Sequence, residues 1–247
     1  MPNADLYDQD FYSYLGSTSK SSALAVVPEV IRVLKPKSCL DLGCGRGEWL
    51  NIFNQHGVDV FGMDGDWVKT SDLVIPPECF QAADLSAPPA LNRSFDLAIS
   101  LEVAEHLPEK SADAFVAALT RSAPVILFSA AIPFQGGMGH INEQWQSYWA
   151  EKFFSQGYRA NTFFRSKFWA HKECSFWYPQ NMVLFVRNGT VCDPQLEPYF
   201  VEESGALNVI HPALFQRIVQ EPTLEQLRLI PKFLVQKICR KLGLSSH

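Results

Sequence analysis

Short runs of consecutive hydrophobic residues alternate with polar segments of helical spacing through most of the chain. The runs predict strands over 38–42, 58–63, 79–83, 95–101, 124–131, 159–164 and 182–187. Between and before them, the spacing of hydrophobic positions predicts helices over 21–34, 47–56, 112–121 and 142–156. Strands that are hydrophobic throughout and alternate with helices are typical of a parallel sheet covered on both faces.

The end of this pattern differs from its beginning. The last two predicted strands follow each other with no clear helix between them, which indicates an antiparallel hairpin at one edge of the sheet. Residues 190–207 contain Pro194 and Pro198 and are predicted to form a loop, with room for two helices after it. We therefore expect a main domain over 1–188, which includes an N-terminal helical cap, and a C-terminal loop and helical extension over 189–247.

Composition narrows the class of protein. The 247 residues suffice for one α/β domain with a sizeable core, and 47% hydrophobic with 19% charged residues is ordinary for a globular protein. A net charge of -5 argues against nucleic acid as the main partner, because phosphate binding requires a basic surface.

No targeting signal or membrane span is visible in the sequence. The acidic start has no hydrophobic run, and no segment approaches the roughly 18 apolar residues of a membrane span. The six cysteines include no CxxC pair, so we interpret them as reduced thiols. These features lead us to expect a cytoplasmic protein.

The strongest local signal is the segment CLDLGCGRGEW over 39–49, between a predicted strand and a predicted helix. A loop at this place in a doubly wound sheet is where nucleotide-like ligands bind. Gly43, Gly45 and Gly47 allow a tight turn and a close approach of the backbone to a ligand. The N–H groups at the start of the following helix suit an anion, such as the carboxylate of an amino acid.

A dinucleotide-binding loop is the competing interpretation, and it requires the pattern GxGxxG. The third glycine of that pattern would fall at position 48, which is Glu48. Asp41, two positions before the first glycine, suits the cationic amino-acid end of S-adenosylmethionine and would repel a pyrophosphate. A glycine-rich turn without a ligand is the remaining alternative.

Acidic residues end the next two predicted strands. Asp64 follows Asp41 by 23 positions, close to the offset of about 20 residues at which a carboxylate reaches ribose hydroxyls. Asp66 is a second candidate, although it lies past Gly65 in the turn. Asp84 ends the third strand, where a carboxylate can accept a hydrogen bond from an adenine amino group. Each of these acids alone is more often a turn residue, but their succession supports a cofactor site.

With these residues in view, the chain resembles the large family of bacterial class I S-adenosylmethionine-dependent methyltransferases. Within it, the chain is most similar to a branch common in glycan and natural-product biosynthesis. The resemblance covers roughly residues 7–188 and is carried by DLGCGRGEW (41–49), GMDGD (62–66), ADL (83–85), FDLAISLEVAEHLP (95–108) and GGMGHINEQW (136–145).

The resemblance implies an α/β, Rossmann-like fold with a seven-stranded, mostly parallel sheet, an antiparallel edge hairpin and helices on both faces. It also implies S-adenosyl-L-methionine as the cofactor. The residues that it places around this cofactor are Asp41, Gly43, Gly45, Asp64 and Asp84, with Leu85 on the adenine ring and Leu101, Glu102 and Val103 beside the methionine portion.

Methyl transfer from a sulfonium needs a positioned acceptor and, for an alcohol, a base. His106 follows the fourth predicted strand, and His140 lies in a glycine-rich loop after the fifth, which is a candidate lid. Loops at this edge of such a sheet carry ligands, so both histidines are candidate catalytic bases. Each is equally a residue type that forms hydrogen bonds in loops. Glu105 and Glu143 are candidates for orienting either imidazole.

Aromatic residues are dense after the His140 loop. Trp145, Tyr148 and Trp149 follow the spacing i, i+3, i+4 and are predicted to share one helix face. That face either packs into the core or, with Asn142, contacts a sugar or planar acceptor. The sequence shows no obvious set of metal ligands, so we expect no metal.

The sequence leaves the methyl acceptor open. The favoured hypothesis is O-methylation of a hydroxyl on a small molecule or saccharide. The alternatives are N- or C-methylation of a small molecule, or a non-catalytic scaffold. A basic, amphipathic segment over 227–244 is expected to pack on protein more readily than to contact an anionic membrane surface.

Overall fold

The computed structural model describes residues 9–220, with side chains from Thr18 onward. The chain divides into two compact units, the first ending at His211 and the second beginning at Pro212. The predicted basic segment over 227–244 lies outside the described residues, as does most of the predicted C-terminal extension.

The strands are β1 (Ser38–Leu42), β2 (Asp59–Asp64), β3 (Phe80–Ala82), β4 (Leu97–Leu101), β5 (Val125–Ser129), β6 (Tyr158–Asn161), β7 (Val183–Arg187) and β8 (Phe200–Val201). The α-helices are α1 (Gln9–Leu34), α2 (Glu48–Gln55), α3 (Ala112–Ser122), α4 (Gln146–Ser155), α5 (Phe163–Phe168), α6 (Trp177–Asn181) and, in the second unit, α7 (Pro212–Gln220). Short 3-10 turns include Ala104–His106, directly after β4.

All eight strands form one sheet in the order β3-β2-β1-β4-β5-β7-β6-β8. The first five strands of this order are parallel, and β7, β6 and β8 add to it in antiparallel pairs. The order of the parallel strands reverses at β1, between β2 and β4. Ligands bind outside the carboxyl ends of the strands at such a reversal, which makes that edge the place to look for a site.

The hydrophobic core lies on both faces of the sheet, as continuous hydrophobic strands predict. Successive side chains of a strand point to opposite faces. Leu97 and Ile99 therefore belong to one buried cluster, whereas Ala98 belongs to the other. The Rossmann-like, mostly parallel fold predicted from the sequence is confirmed.

Helix α1 begins earlier than the predicted residue 21 and covers one face of the sheet. Four residues of its inner face are fully buried: Ala23, Val26, Val27 and Val30. They follow the spacing i, i+3, i+4, i+7 of an amphipathic helix. The helix ends at Leu34, two residues before Pro36, because the residue before a proline disfavours helical backbone.

The connection between β6 and β7 corrects one prediction. Two short helices, α5 and α6, lie between these strands, and β6 ends at Asn161 rather than at residue 164. Phe163 and Phe164 are buried as helical residues. A helix of five or six residues is too short to show a helical period. The hydrophobic residues at 163 and 164 therefore looked like a continuation of the strand. The antiparallel pairing of β6 with β7 is confirmed.

Strand β8 is one strand more than the seven predicted. It lies inside the segment 190–207 that was predicted as a loop, and it pairs with Ala160 and Asn161 of β6. Two residues cannot show an alternating pattern, and the pairing depends on a partner about 40 positions earlier in the chain. The first compact unit accordingly continues past residue 188 to His211.

Within residues 9–220, no helix is both long and apolar enough to cross a membrane. The five cysteines of this described part are free thiols: Cys39, Cys44, Cys79, Cys174 and Cys192.

Candidate active site

The loop after β1 is shaped by glycines in left-handed backbone. Gly43, Gly45 and Gly47 have φ values of 96°, 53° and 92°, which other residues adopt only with strain. A Cβ atom on Gly43 would overlap the side chain of Val103, in the segment after β4. A Cβ on Gly45 would meet nothing within 4 Å. The loop thus packs closely against the neighbouring strand end at Gly43 and faces open space at Gly45.

Asp64, at the end of β2, fixes this loop through its carboxylate. One oxygen accepts a hydrogen bond from the Gly45 N–H at 2.7 Å, and the other accepts from the Gly65 N–H at 2.6 Å. Burial raises the pKa of Asp64, and these two hydrogen bonds partly offset that rise. Asp64 therefore ends β2 as a buried carboxylate that holds the backbone of the glycine loop.

Asp41 lies in β1 and is 3% exposed. Burial, and then the nearby charge of Asp64, raise its pKa well above the ordinary range of a carboxyl. Among the described residues, the structure records no hydrogen-bond partner for its side chain. A buried carboxylate in this state gains most from a cation or a hydrogen-bond donor that a ligand supplies.

Asp84 and Leu85 lie just past β3 at the same edge of the sheet. Ala83 donates its N–H to the backbone oxygen of Asp64 at 2.7 Å, which joins the two strand ends. The Asp84 carboxylate is exposed and accepts a hydrogen bond from the Ser86 N–H at 2.9 Å, whereas Leu85 is buried. We call Asp41–Gly47, Asp64, Asp84 and Leu85 the cofactor edge.

Glu102 is a strained residue directly after β4 and the buried Leu101. Its φ of 59° is left-handed, a conformation that is uncommon for residues other than glycine. The Glu102 carboxylate accepts hydrogen bonds from Gln135 Nε2 at 2.9 Å and from Asn181 Nδ2 at 3.0 Å. Burial raises the pKa of Glu102, and these donors partly offset the rise. Strain held in place by a buried network is typical of functional sites.

The two candidate histidines meet in space. His106 ends the 3-10 turn after β4, His140 lies in the loop after β5, and their ring centroids are 4.9 Å apart in an edge-to-face arrangement. Backbone hydrogen bonds from Ile141 and Asn142 to the oxygen of Glu105, at 2.9 and 3.0 Å, fasten the loop to the turn. We call Glu102–His106 together with Phe134–Glu143 the acceptor edge.

Glu143 anchors the His140 loop. One carboxylate oxygen accepts from His140 Nδ1 at 2.8 Å and from the Gly136 N–H at 2.7 Å, and the other accepts from the Phe134 N–H at 2.9 Å. The orienting role predicted for Glu143 has this geometric support. His106 instead has its Nδ1 3.2 Å from the backbone oxygen of Gly139. Burial and the nearby His140 lower the pKa of His106 to about 4.

Glu105 is the least satisfied group at this edge. It is 0% exposed, and neither carboxylate oxygen has a hydrogen-bond partner of standard geometry among the described residues, although the backbone N–H groups of Glu105 and Ala131 act to lower its pKa. Its Oε1 lies 4.0 Å from His140 Nε2. Burial, and then the charge of Glu102, raise the pKa of Glu105 well above the usual range.

The aromatic helix face is only partly available. Trp149 of α4 is 2% exposed, and its ring centroid lies 5.3 Å from that of Phe128 in the core. Of the two predicted alternatives, Trp149 therefore fits packing into the core. Tyr148 is half-buried, and one of its faces is covered by the Lys152 ammonium at 4.6 Å. Trp145 precedes the helix as its N-cap.

Asn142 was also predicted to contact an acceptor, from within a helix starting at residue 142. The helix starts at Gln146, so Asn142 belongs to the preceding loop. Its side chain is buried; the oxygen accepts from Gln144 at 3.0 Å, while Nδ2 has no partner among the described residues.

Sequence reasoning missed the residues that hold Glu102. Gln135 and Asn181 are 33 and 79 positions away from it in the chain, and Asn181 also donates to Gln135 Oε1 at 2.9 Å. Neither residue belongs to a recognisable motif. The only available signal was the polarity of Gln180-Asn181 immediately before the hydrophobic strand β7.

This geometry suits transfer of a group between a cationic ligand and an oxygen or nitrogen acceptor. The cofactor edge offers buried carboxylates beside open space, and the acceptor edge offers two imidazoles and carboxylates beside the next strand end. Both edges lie at the carboxyl ends of parallel strands.

Comparisons with known proteins identify the family of the chain. A family model described as a methyltransferase domain matches residues 23–171, more than half of the chain. A probable chloroplastic tocopherol O-methyltransferase of Oryza sativa subsp. japonica is 32% identical over 113 residues, which cover 42% of this chain. The match spans 30% of that relative's length.

Solved structures share the fold. DesVI of Streptomyces venezuelae superposes with a TM-score of 0.56 at 16% identity, covering 76% of this chain and 99% of that one. The magnesium protoporphyrin IX methyltransferase of Synechocystis PCC 6803, solved with bound SAH, gives a TM-score of 0.50 at 16% identity, covering 69% of this chain and 84% of that one. At this identity the likeness shows the fold alone.

Proposed function

The chain belongs to the methyltransferase-domain family of class I S-adenosylmethionine-dependent enzymes, and on this premise we propose that it methylates a hydroxyl group of a small molecule or saccharide. S-adenosylmethionine supplies the reactive methyl group. The observation that supports oxygen as the acceptor atom is the His140–Glu143 pair, which has the geometry of an oriented general base.

The residues of the cofactor edge fit S-adenosylmethionine. The space that a Cβ on Gly45 would enter is open, and it lies beside the buried carboxylate of Asp64, which is hydrogen-bonded to Gly45. Asp41 offers a second buried carboxylate without a recorded partner in the described chain. Carboxylates suit both the cationic amino group and the ribose hydroxyls of this cofactor, whereas they would repel a pyrophosphate.

We assign cofactor contacts to Asp41, Gly43, Gly45, Asp64, Asp84, Leu85, Leu101 and Glu102. In this assignment Asp41 and the glycine loop hold the amino-acid end, Asp64 holds the ribose, and Asp84 with Leu85 holds the adenine. Bound there, S-adenosylmethionine would supply its methyl group to the acceptor oxygen by in-line displacement, and its sulfur would keep the electron pair of the bond to methyl that breaks.

An alcohol must lose its proton during this displacement, and His140 is placed to accept it. The Nδ1–H of His140 is donated to Glu143, so Nε2 carries the lone pair that takes the proton. A carboxylate that orients an imidazole also stabilises the imidazolium that forms. His106 is the second candidate, although its Nδ1 partner is a neutral carbonyl, which stabilises an imidazolium less.

The acceptor class is proposed on two further observations. Tyr148 and Trp145 are half-buried at the start of α4, where an aromatic surface can stack on a sugar or planar ring. In addition, the name of the rice relative describes transfer to oxygen. Trp149 and Asn142 are both buried, so we assign them a structural role in the core and in the loop and no direct contact with the acceptor.

The test is transfer of a labelled methyl group to a panel of hydroxylated and amine acceptors, with the product identified by mass spectrometry. His140→Gln should lower kcat for a hydroxyl acceptor by about 10²–10⁴-fold, and Glu143→Gln should lower it less. The matched control is His171→Gln, because His171 is exposed and lies outside both edges.

Other outcomes separate the alternatives. Methylation of an amine at a rate that His140→Gln leaves unchanged would contradict the proposed acceptor and favour N-methylation, since an amine needs less help from a base. Failure of the folded chain to bind S-adenosylmethionine would contradict the enzyme and favour a scaffold.

A further inference from the structure

Three side chains with metal-binding atoms converge at the acceptor edge. Glu105 and His106 come from the turn after β4, and His140 comes from the loop after β5. One ligand atom from each of the three lies within 4.8 Å of the other two. Among the described residues this is the one such group of histidine, cysteine and acidic side chains.

The Glu105 carboxylate is buried and poorly supplied with hydrogen-bond donors. It is fully buried, and within the described part of the chain neither oxygen accepts a hydrogen bond of standard geometry. The backbone N–H groups of Glu105 and Ala131 are nearby donors that act to lower its pKa, against the larger effect of burial. A buried carboxylate without a partner is costly and is rare in proteins unless a cation or an ordered group completes its surroundings. Its Oε1 faces His140 Nε2 at 4.0 Å, so the unfilled coordination points into the cluster.

Both imidazoles are oriented as metal ligands are. The Nδ1 atom of His106 faces the Gly139 carbonyl, and the Nδ1 atom of His140 faces the Glu143 carboxylate. Both partners are acceptors only, so each Nδ1 carries the hydrogen and each Nε2 carries a lone pair. A metal-binding histidine almost always donates its other ring N–H to a carbonyl or carboxylate in this way.

The position of His140 depends on the glycine beside it. A Cβ on Gly137 would overlap the His140 ring at Nε2. Ligand atoms that lie about 2.0–2.2 Å from Zn²⁺ are about 3.4 Å from one another in a tetrahedral site. A shift of about 1 Å per ligand therefore completes the site from the present separations, and glycines at 136, 137 and 139 leave the loop free to make it.

We infer that Glu105, His106 and His140 form a binding site for one divalent transition-metal ion of the Zn²⁺ class. Two imidazoles with one carboxylate favour Zn²⁺, Co²⁺ or Fe²⁺ over Mg²⁺ or Ca²⁺, which prefer oxygen ligands. Three protein ligands leave a coordination position open, as in catalytic metal sites. This inference departs from the sequence-based expectation of a metal-free site.

The use of that open position rests on the proposed function. A hydroxyl acceptor bound there would lose its proton more readily, because a metal ion lowers the pKa of an oxygen that it binds. His140 would then act as a ligand and not as the base, and the proton of the metal-bound hydroxyl would pass to solvent water. The binding site itself is tested without any acceptor.

The experiment is a titration of the full, untagged chain with Co²⁺ after treatment with a chelator, followed by visible absorption and calorimetry. We expect one ion per chain, with the absorption of a site of nitrogen and oxygen ligands. Each of Glu105→Gln, His106→Gln and His140→Gln should weaken binding by at least about tenfold, and Glu143→Gln by about tenfold or more. Gly137→Ala should also weaken binding by moving the His140 ring.

His56→Gln is the matched control, because His56 ends α2 away from the cluster, and it should bind as the wild type does. Circular dichroism of each variant separates lost binding from lost folding, and the wild-type titration stands even where a variant does not fold. No binding of Co²⁺ or Zn²⁺ by the folded wild type would overturn the inference. So would equal binding by all three ligand variants, or a thiolate-to-cobalt absorption band that identifies cysteine ligands.

Methyl transfer is measured separately, so that the two proposals fail separately. Metal binding without transfer to any hydroxyl would contradict the proposed function and leave the metal site. Transfer at full rate by chelator-treated protein that binds no metal would overturn the metal site and leave the proposed function.

Discussion

The cofactor edge and the acceptor edge lie at the same end of the sheet but are built differently. At the cofactor edge, three left-handed glycines lie within five consecutive residues, and the Asp64 carboxylate binds backbone N–H groups. At the acceptor edge, side chains from two distant segments, the turn after β4 and the loop after β5, meet around the buried carboxylate of Glu105. The first edge is a property of backbone conformation and the second a property of tertiary contact.

This difference has a consequence for each edge. A site made by backbone conformation tolerates few substitutions at its left-handed glycines, because any side chain added there strains the backbone. A site made by converging side chains tolerates backbone change but depends on every contributing segment. Substitutions that separate these two kinds of dependence can break or sharpen the comparison.

The largest effect is expected for Gly43→Ala. Left-handed backbone and overlap with Val103 together cost about 3–5 kcal/mol, so the variant should lose S-adenosylmethionine binding and much of its stability. The control is Gly57→Ala, where φ is also positive at 80° but a Cβ would meet nothing within 4 Å. Calorimetric titration and thermal unfolding measure both. Equal losses in the two variants would show that overlap at Gly43 does not matter.

A smaller effect is expected for Asp64→Asn. The amide keeps the size of the side chain but replaces one acceptor by a donor, so either the Gly45 or the Gly65 N–H loses its partner. A hydrogen bond to a charged group contributes about 1.5–3 kcal/mol, and the affinity for S-adenosylmethionine should fall by about 10–100-fold. Asp66→Asn, at the exposed neighbouring acid, is the control and should bind normally. An unchanged affinity in Asp64→Asn would contradict the proposed contact between Asp64 and the ribose.

At the acceptor edge, Glu105→Gln should stabilise the chelator-treated protein. It removes a buried carboxyl group whose pKa is raised in the folded protein, so the folded state loses free energy of ionisation that the unfolded chain has at neutral pH. The gain should be about 1–2 kcal/mol in the free energy of unfolding. Urea unfolding at neutral pH measures it, with Glu109→Gln, in a part-exposed turn nearby, as the control. A loss of stability would mean that Glu105 has a partner that it needs even without metal. Metal should reverse the order of wild type and variant.

The smallest effect is a pH dependence of cofactor affinity. Burial and Asp64 raise the pKa of Asp41, and only its carboxylate form attracts a cation. Lowering the pH through this raised pKa protonates Asp41, so affinity for S-adenosylmethionine should fall with falling pH, by at most about tenfold per pH unit. Titrations at several pH values check this. Asp41→Asn should bind weakly with less pH dependence, and Asp66→Asn should keep the wild-type dependence. A flat wild-type profile would contradict the role of Asp41.

The sequence alone was sufficient for the parallel part of the sheet and for the backbone conformation of the glycine loop after β1. Strand β1 begins and ends where the hydrophobic run over 38–42 does, because a buried parallel strand must be hydrophobic on both faces. The glycines of the loop carry their own backbone preference, and Asp64 ends its strand as predicted. All of this information is local, so neighbouring residues in the chain suffice to express it.

Only the tertiary structure decided the remainder. Strand β8 exists because β6 offers it an edge, and α5 and α6 are too short to show a period. Trp149 occupies the core because Phe128 lies opposite it. The meeting of Glu105, His106 and His140 depends on two hydrogen bonds to the Glu105 backbone oxygen that fasten a distant loop to the turn. The identity of each residue was visible in the sequence, but its surroundings were not, since contacts between distant segments leave no local period or spacing to detect.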